Sequence, residues 1–456
     1  MSEPSRRRRT SKAFAAPSSG KSSRKTDKRT LLVLGIVPGL LFLTHLTFGA
    51  NQPIAALWLS TLLAVALCVS LAIPQARIGL FDLKPAFVPL ALFMTVIGVA
   101  LWSLTPWTPG GPHPIWAWAD VSPGASTVNT SATVQEIIKL LGLACIFVVG
   151  CLQSARKDRG KSTLDVLLVL GAVYAGVSLL LFLSGKQIMG GERLSGGFLS
   201  ANSGATVFGV LTVIGLGNLL RQWRQAAGLG IARQLSQVST ALAFVLLFSV
   251  CLLLTASRMG VVAAAVAASI LLVWETFEAK GQRLPILIFG LVLLVVAGVL
   301  MLGSNDLLWQ RLDKVDGDLV VRGAIFSAHW KAFLVSPLFG YGLGSFSDVN
   351  SQIMTAENYG NLWSIRATHN VYLQWLEEAG IVGAAPMFIL IGVVLAVGVW
   401  RTTQLRSGQT LLRALVVGNL VVLIHGTTDY GLQVPSIAAF WAFLLGLSFA
   451  FGQSRN

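Results

Sequence analysis

Residues 54–73 read I-A-A-L-W-L-S-T-L-L-A-V-A-L-C-V-S-L-A-I, an apolar run without a charged side chain. An α-helix rises about 1.5 Å per residue, so about 20 such residues cross a bilayer core of roughly 30 Å. A helix also satisfies its own backbone hydrogen bonds, as the water-free core requires. The run therefore predicts a membrane-spanning helix.

Comparable apolar runs recur along the whole chain. They lie at residues 31–49, 54–73, 86–104, 134–153, 164–184, 203–220, 235–254, 259–275, 284–303, 380–400, 411–428 and 434–452. Only 12% of the residues are charged, whereas soluble domains carry about 25%. The sequence therefore predicts an all-α, polytopic integral membrane protein with about 12 transmembrane helices.

The distribution of basic residues predicts how the chain is oriented. The net charge is +15, with much of it in residues 1–30 and most of the rest in every second connection. Membrane proteins keep such basic connections in the cytoplasm, so we predict that both termini are cytoplasmic and that no nucleic acid is bound. The predicted organisation is a disordered basic cytoplasmic tail at 1–30, transmembrane helices 1–9 at 31–303, a large periplasmic loop with an interfacial helix at 304–379, and transmembrane helices 10–12 with a short cytoplasmic tail at 380–456.

This topology leaves a small set of charged and polar side chains on the opposite face of the membrane. They come from five separate connections and are His45, Arg193, Arg258, Arg322, His369, His425 and Asp429. Arg258 is the least ordinary of them, because its connection is almost absent and basic residues are disfavoured on that face. An arginine there needs an anionic partner, and its planar fork fits phosphate oxygens. A lipid headgroup and a lipid-linked diphosphate both satisfy that need.

The end of the large loop has the pattern of an amphipathic helix. In residues 369–379 the apolar side chains fall on one face at helical spacing, whereas Gln374, Glu377 and Glu378 fall elsewhere. Such a pattern predicts a helix that lies in the membrane interface. His369 would stand at the first turn of this helix.

Two further loop segments have a plain interpretation. Gly340, Gly342 and Gly344 predict a tight turn, because no strand precedes them and their spacing differs from a dinucleotide-binding motif. The Trp-rich loop 105–133 predicts a cap at the membrane interface, with a sugar-stacking platform as the alternative. Neither segment, nor any other in the sequence, predicts a metal site or a cofactor.

Several motifs together resemble the O-antigen ligase and polymerase family of bacterial cell-envelope proteins. They are R-L-S-G-G-F-L-S-A-N from Arg193, L-T-A-S-R-M-G around Arg258, V-R-G-A-I-F to G-Y-G-L-G-S-F around and after Arg322, H-N-V-Y-L-Q-W-L-E-E-A-G-I-V-G from His369, and T-T-D-Y-G-L-Q-V-P from Thr427. The resemblance extends over residues 190–450.

The resemblance implies a metal-independent, membrane-embedded glycosyltransferase of the C type. Such enzymes take a glycan from an undecaprenyl-diphosphate carrier at the periplasmic face of the bacterial inner membrane. The acceptor is a glycan or the lipid A core, and membrane lipids surround the site. By the same resemblance Arg193 and Arg258 contact the diphosphate, and His369 activates the acceptor hydroxyl or orients the site. The predicted substrate-binding residues are Arg322, Asn202, Asn370, Asp429 and His425.

Three alternatives stay open at the level of sequence. A polymerase of O-antigen or exopolysaccharide repeat units uses the same donor as a ligase and differs in its acceptor. A secondary transporter would hold ionisable residues near the middle of its spans, whereas here they lie near the ends. A non-catalytic partner in envelope assembly would bind the lipid-linked glycan without turning it over.

Overall fold

The computed structural model describes residues 28–72, 86–278 and 315–453, and all regular elements in these ranges are helical. The principal helices are α1 (Lys28–Leu46), α2 (Pro53–Ala72), α3 (Phe87–Ser103), α4 (Thr130–Ser154), α5 (Lys157–Leu183), α6 (Ala201–Gln225), α7 (Ile231–Leu254), α8 (Arg258–Glu278), α9 (Val315–Val335), α10 (Phe346–Ile353), α11 (Val371–Gln404), α12 (Gln409–His425) and α13 (Pro435–Ala450). Short helical turns at Phe48–Ala50, Ile115–Trp118, Tyr359–Leu362 and Gly431–Gln433 lie in the connections.

Among these described helices, seven are long and apolar enough to cross a membrane, namely α2, α4, α5, α6, α7, α8 and α11. Shorter apolar helices occur within α1 and as α3, α12 and α13. The predicted all-helical membrane architecture is therefore confirmed. Eleven predicted spans coincide with helices of the structure, and the run at 284–303 lies outside the described residues. The total of twelve spans and the periplasmic placement of the large loop stay predictions.

Helix α6 forms the centre of the bundle. The apolar part of α6 is completely buried, and α7, α8 and α12 pack around it. Glycines permit these close contacts: a methyl group added at Gly217 would collide with Ala414 of α12. Small residues allow membrane helices to approach closely in the absence of a hydrophobic driving force between them.

The ends of several helices meet at one end of the bundle, which we call the site end. Its members are the ends of α1, α7 and α12 and the beginnings of α6, α8, α11 and α13. Backbone hydrogen bonds join them, from Leu194 N to Leu254 O at 3.0 Å and from Val371 N to Gly426 O at 2.9 Å. His45, at the end of α1, bonds through Nδ1 to Ser436 Oγ of α13 at 2.8 Å.

The glycine-rich segment of the large loop forms the predicted turn, with Gly340, Gly342 and Gly344 all at positive φ. The turn is tied to α11 by Tyr341 N, which donates to Glu377 O at 3.1 Å, and Gly342 N, which donates to Glu378 O at 2.8 Å. These contacts place the turn against the first part of α11.

The polar side chains at the start of α11 do not face solvent. Gln374, Glu377 and Glu378 are buried, and Glu378 Oε2 accepts a hydrogen bond from Gly344 N at 2.7 Å. These three side chains therefore do not form a solvent-exposed face, and the position of this segment at the membrane interface stays a prediction. Glu378 bonds to the glycine turn and Glu377 bonds to α9. The helical pattern of one segment does not reveal such partners from elsewhere in the chain.

Candidate functional site

A chain of hydrogen bonds links three of the predicted site residues at the site end. Arg193, in the connection before α6, donates through Nη2 to Asn202 Oδ1 at 2.7 Å. Asn202, in the first turn of α6, donates through Nδ2 to Asp429 Oδ1 at 3.3 Å. Residues from two distant parts of the sequence thus meet as a cation, an amide and an anion.

The connection between α7 and α8 is part of the same cluster. Arg193 Nε donates to the carbonyl oxygen of Thr255 at 2.7 Å. The backbone then turns sharply at Ala256, whose φ is +47°, and Arg258 follows as the first residue of α8. This arrangement places Arg258 at the site end, three residues after the carbonyl group that holds Arg193.

His425 joins three helices beneath this cluster. It is buried at the end of α12. Its Nδ1 bonds to Thr206 Oγ1 of α6 at 2.8 Å, and its Nε2 lies 3.4 Å from Ser257 Oγ, next to Arg258. Because hydroxyl groups contact both ring nitrogens, His425 connects the end of α12 to the beginnings of α6 and α8.

His369 stands directly before α11 with its backbone in the left-handed region, at φ +57°. This conformation is uncommon for residues other than glycine and costs of order 1–3 kcal/mol, so the surrounding structure has to maintain it. The imidazole packs edge-on against the Tyr430 ring, with 5.0 Å between centroids. Its Nδ1 is buried and has no hydrogen-bond partner among the residues that the structure describes.

The electrostatics of the cluster keep the imidazole neutral at neutral pH. Burial lowers the pKa of His369 from its ordinary value of 6.5, the Asp429 carboxylate raises it in part, and the Arg322 charge lowers it again. A neutral imidazole is able to accept a proton. The pKa of Tyr430 is raised by burial and by Asp429, so this neighbour stays a neutral phenol.

Asp429 is the buried anion of the site, with a relative exposure of 1%. Within the described ranges, its Oδ2 has no hydrogen-bond partner. Buried carboxylate oxygens are nearly always bonded, so an open one calls for an explanation such as a water or a ligand group. The open Oδ2 of Asp429 and the open Nδ1 of His369 occur in one cluster.

Asn370 has a different place from the other predicted residues. Its Oδ1 accepts hydrogen bonds from Tyr372 N and Leu373 N, both at 3.0 Å. It is therefore the N-cap of α11, which satisfies backbone donors that a helix start leaves open. This cap fixes the beginning of the helix next to His369, and the predicted contact of Asn370 with substrate stays a prediction.

Sequence reasoning missed several members of the cluster. Thr206, Ser257 and Tyr430 contact the two histidines, but hydroxyl groups near span ends are too common to stand out in a sequence. Their positions could have indicated them, because Ser257 and Tyr430 are adjacent to predicted site residues and Thr206 lies one helical turn after Asn202. Within the described residues, no group of three or more His, Cys, Asp or Glu side chains could hold a metal ion.

A mainly apolar cavity of ≈ 350 Å³ lies next to the cluster, among α2, α3, α4, α11, α12 and α13. Val371, Gly426 and Leu432 form part of its wall, and these residues lie two or three positions from His369 or Asp429. Farther along, Leu63, Phe147 and Leu445 line it. The cavity therefore extends from the site end into the membrane-spanning part of the bundle.

Fold and site together define an all-helical membrane protein with a buried, charged cluster at one end of its bundle. Residues 242–388 match the model of a protein family described as O-antigen ligase. This segment, about a third of the chain, runs from α7 into α11 and holds Arg258, Arg322 and His369. The resemblance to the O-antigen ligase family is thus confirmed, and it indicates a glycosyltransferase-type enzyme. No curated protein matches the chain.

Proposed function

We propose that this protein transfers a glycan from an undecaprenyl-diphosphate carrier to an acceptor sugar. The reaction takes place at the periplasmic face of the bacterial inner membrane, needs no metal ion and inverts the anomeric centre. The observation that carries the proposal is the hydrogen-bonded chain Arg193–Asn202–Asp429 beside His369. It brings a phosphate-binding side chain and a candidate base to one place.

The arginines would stabilise the leaving group. When the bond between the anomeric carbon and the diphosphate oxygen breaks, its electron pair stays on that oxygen and negative charge grows there. Fixed cations aimed at this position lower the barrier because they need no rearrangement during the reaction. Arg193, Arg258 and Arg322 are the cations that we assign to this role, with Asn202 and Asp429 holding Arg193 in place.

His369 would act as the general base. The acceptor hydroxyl oxygen attacks the anomeric carbon from the side opposite the diphosphate, and its proton passes to the imidazole. The neutral ring favoured by burial accepts that proton, and the nearby Asp429 carboxylate stabilises the imidazolium that forms. One displacement of this kind produces inversion.

The apolar cavity would hold part of the carrier's hydrocarbon chain. Pockets of about 300–1,000 Å³ hold drug-sized ligands, so a cavity of ≈ 350 Å³ has room for a part of the chain, and the rest would lie in the bilayer. Lipid tails are as apolar as leucine side chains, so moving the carrier's chain from the bilayer into the cavity adds little binding affinity. The cavity would instead orient the carrier relative to the site end. A chain seated there would enter the site end beside Val371 and Gly426.

Purified protein in liposomes, supplied with undecaprenyl-diphosphate-linked glycan and an acceptor, tests the proposal. The His369→Ala variant should lose about 10²–10⁴-fold in kcat, the usual contribution of a general base. His113→Ala is the matched control, because the His113 ring accepts from Ile115 N within its own loop and packs on Tyr341, which is not a member of the cluster. Transfer by His369→Ala at the wild-type rate would overturn the assigned role.

The acceptor decides between a ligase, which we favour, and a polymerase of repeat units. Deleting the gene and examining the surface glycan separates them. Loss of glycan from lipid A with carrier-linked polymer retained identifies a ligase. Accumulation of single repeat units identifies a polymerase.

A further inference from the structure

A buried, hydrogen-bonded pair of side chains lies outside the cluster, between α9 and α11. His329 Nδ1 and Glu377 Oε2 are 2.8 Å apart, and both side chains have a relative exposure of 0%. The His329 ring stacks on Phe346, with 4.9 Å between centroids. The proposed chemistry uses neither residue, although Glu377 belongs to the motif that begins at His369.

The pair fixes how α9 and the first part of α11 are aligned. Arg322 precedes His329 by seven residues of α9, about 10 Å at the helical rise. His369 stands just before α11, whose first residue Val371 precedes Glu377 by six residues, about 9 Å. Seven residues are close to two helical turns, which puts Arg322, Ile325 and His329 on one face of α9. Ile325 and His329 are buried on that face. His329 and Glu377 thus connect the two segments at one level. The Arg322 charge, which lowers the pKa of His369, places Arg322 near His369 toward the start of both segments.

We propose that the His329–Glu377 pair is a positioning device that sets where the Arg322 guanidinium stands relative to His369 and the donor's diphosphate. The proposal rests on the proposed function for the identity of the diphosphate. The alignment itself rests on the contact between α9 and α11. A shift of α9 by one residue would move Arg322 by about 1.5 Å and turn it about 100° around the helix.

The chemistry of the pair fits positioning better than stabilisation. Replacing both members of a buried hydrogen-bonded pair with apolar side chains of the same shape can be nearly neutral or stabilising, because no polar group is then left without a partner. In the described part of the chain, His329 Nε2 and Glu377 Oε1 have no hydrogen-bond partner, so the pair is incompletely compensated. The packing of α9 has a second link, from Tyr341 Oη to Ala332 O at 2.9 Å. The His329–Glu377 hydrogen bond has a defined direction and adds little stability, as expected of a contact that aligns α9 with α11.

The test is a double-mutant cycle between the pair and Arg322, using full-length protein in detergent. Farnesyl diphosphate is the probe, and its affinity is measured for wild type, Arg322→Ala, the double variant His329→Leu/Glu377→Leu, and the triple variant. Arg322→Ala should weaken binding roughly tenfold, as expected for a lost bond to a charged group. The double variant should keep its melting temperature and yet bind several-fold more weakly. In the Arg322→Ala background, the same double change should alter affinity by no more than about twofold.

A milder variant and a control complete the design. His329→Gln keeps a donor toward Glu377 and should recover most of the affinity, even if the leucine variant folds poorly. Asn350→Ala is the matched structural control, because it removes a buried hydrogen bond to Leu362 O in the same loop. Its effect on affinity should add to that of Arg322→Ala.

Additive losses for the leucine variant and Arg322→Ala would overturn the positioning role, and so would unchanged affinity in the leucine variant. Failure of the proposed function has a different signature, since wild-type protein would then not transfer glycan, whatever the binding cycle shows.

Discussion

The two ends of the helical bundle each contain a buried carboxylate with arginines around it, and they differ in how completely that carboxylate is bonded. At the end opposite the site, Glu275 of α8 accepts from Arg413 Nη1 at 3.0 Å, from Thr410 Oγ1 at 3.1 Å and from Arg224 Nη1. Both of its side-chain oxygens are engaged. At the site end, Asp429 Oδ1 accepts from Asn202 at 3.3 Å, and Oδ2 has no partner among the residues that the structure describes.

This difference separates a structural cluster from a candidate binding site. A carboxylate whose oxygens are all bonded joins its helices and offers nothing to a ligand. A buried carboxylate with an open oxygen, next to an imidazole with an open nitrogen, is incomplete without a further polar group. We therefore expect changes at Glu275 to affect stability first and changes at Asp429 to affect activity first.

The largest expected effect is on stability. Glu275→Ala removes the nearer carboxylate partner of the buried Arg413 and leaves it with the half-exposed Glu278 at 3.5 Å. Breaking a buried pair in this way costs about 3–5 kcal/mol. Thermal or denaturant unfolding in detergent measures the loss. The control Asp165→Ala removes a half-exposed partner of Arg221 and should cost less than about 1 kcal/mol. Equal losses of stability for the two variants would contradict the structural role assigned to Glu275.

The converse variant is Asp429→Asn, which keeps the size of the side chain and removes its charge. Transfer should fall roughly 10- to 100-fold, because the neutral amide no longer stabilises the imidazolium of His369, whereas its Oδ1 still accepts from Asn202. Unfolding should change by less than about 1 kcal/mol. Asp348→Asn, at a carboxylate bonded to Asn129 outside the cluster, should leave transfer unchanged. A stability loss at Asp429 as large as that at Glu275 would erase the contrast between the ends.

A cavity variant tests the path of the carrier chain. Ala442 of α13 lines the cavity, so Ala442→Phe should raise KM for an undecaprenyl-linked donor roughly tenfold by occupying the chain's place. A farnesyl-linked donor should be affected less, because its shorter chain need not extend past Ala442. The control is Ala396→Phe, at an exposed position of α11. An equal effect on both donors would exclude the cavity as the chain's path.

The smallest expected effect is a shift in pH dependence. Burial holds the pKa of His369 below 6.5, so kcat/KM should decline on the acidic side only below that pH, where the imidazole becomes protonated. Asp429 raises this pKa, so Asp429→Asn should move the acidic limb to still lower pH. The pH–rate profiles of the two proteins give the comparison. Movement of the limb to higher pH would contradict the assignment of His369 as the base.

The helices were predictable because each depends on a local property, a run of apolar side chains long enough to cross a bilayer. The convergence of Arg193 and Arg258 was also within reach, since both break the usual placement of basic residues in a membrane protein. Because successive spans cross the membrane in opposite directions, both residues are then assigned to the same face of the membrane. The structure joins them through Thr255, next to the turn at Ala256.

The side-chain partners were not predictable, because they depend on tertiary contacts. The left-handed backbone at His369 has no signature in the sequence. The burial of Glu377 depends on α9 and on the glycine turn, which pack against the same helix from elsewhere in the chain. Polar residues in an amphipathic pattern are normally assigned to solvent, and here they hold the large loop.

The most direct test is an experimental structure of the protein with an undecaprenyl-diphosphate-linked glycan bound. The account predicts phosphate oxygens within hydrogen-bond distance of Arg193 and Arg258, and the anomeric carbon on the side of His369. A diphosphate bound at the Glu275 end, or one at the site end that none of these arginines contacts, would contradict it.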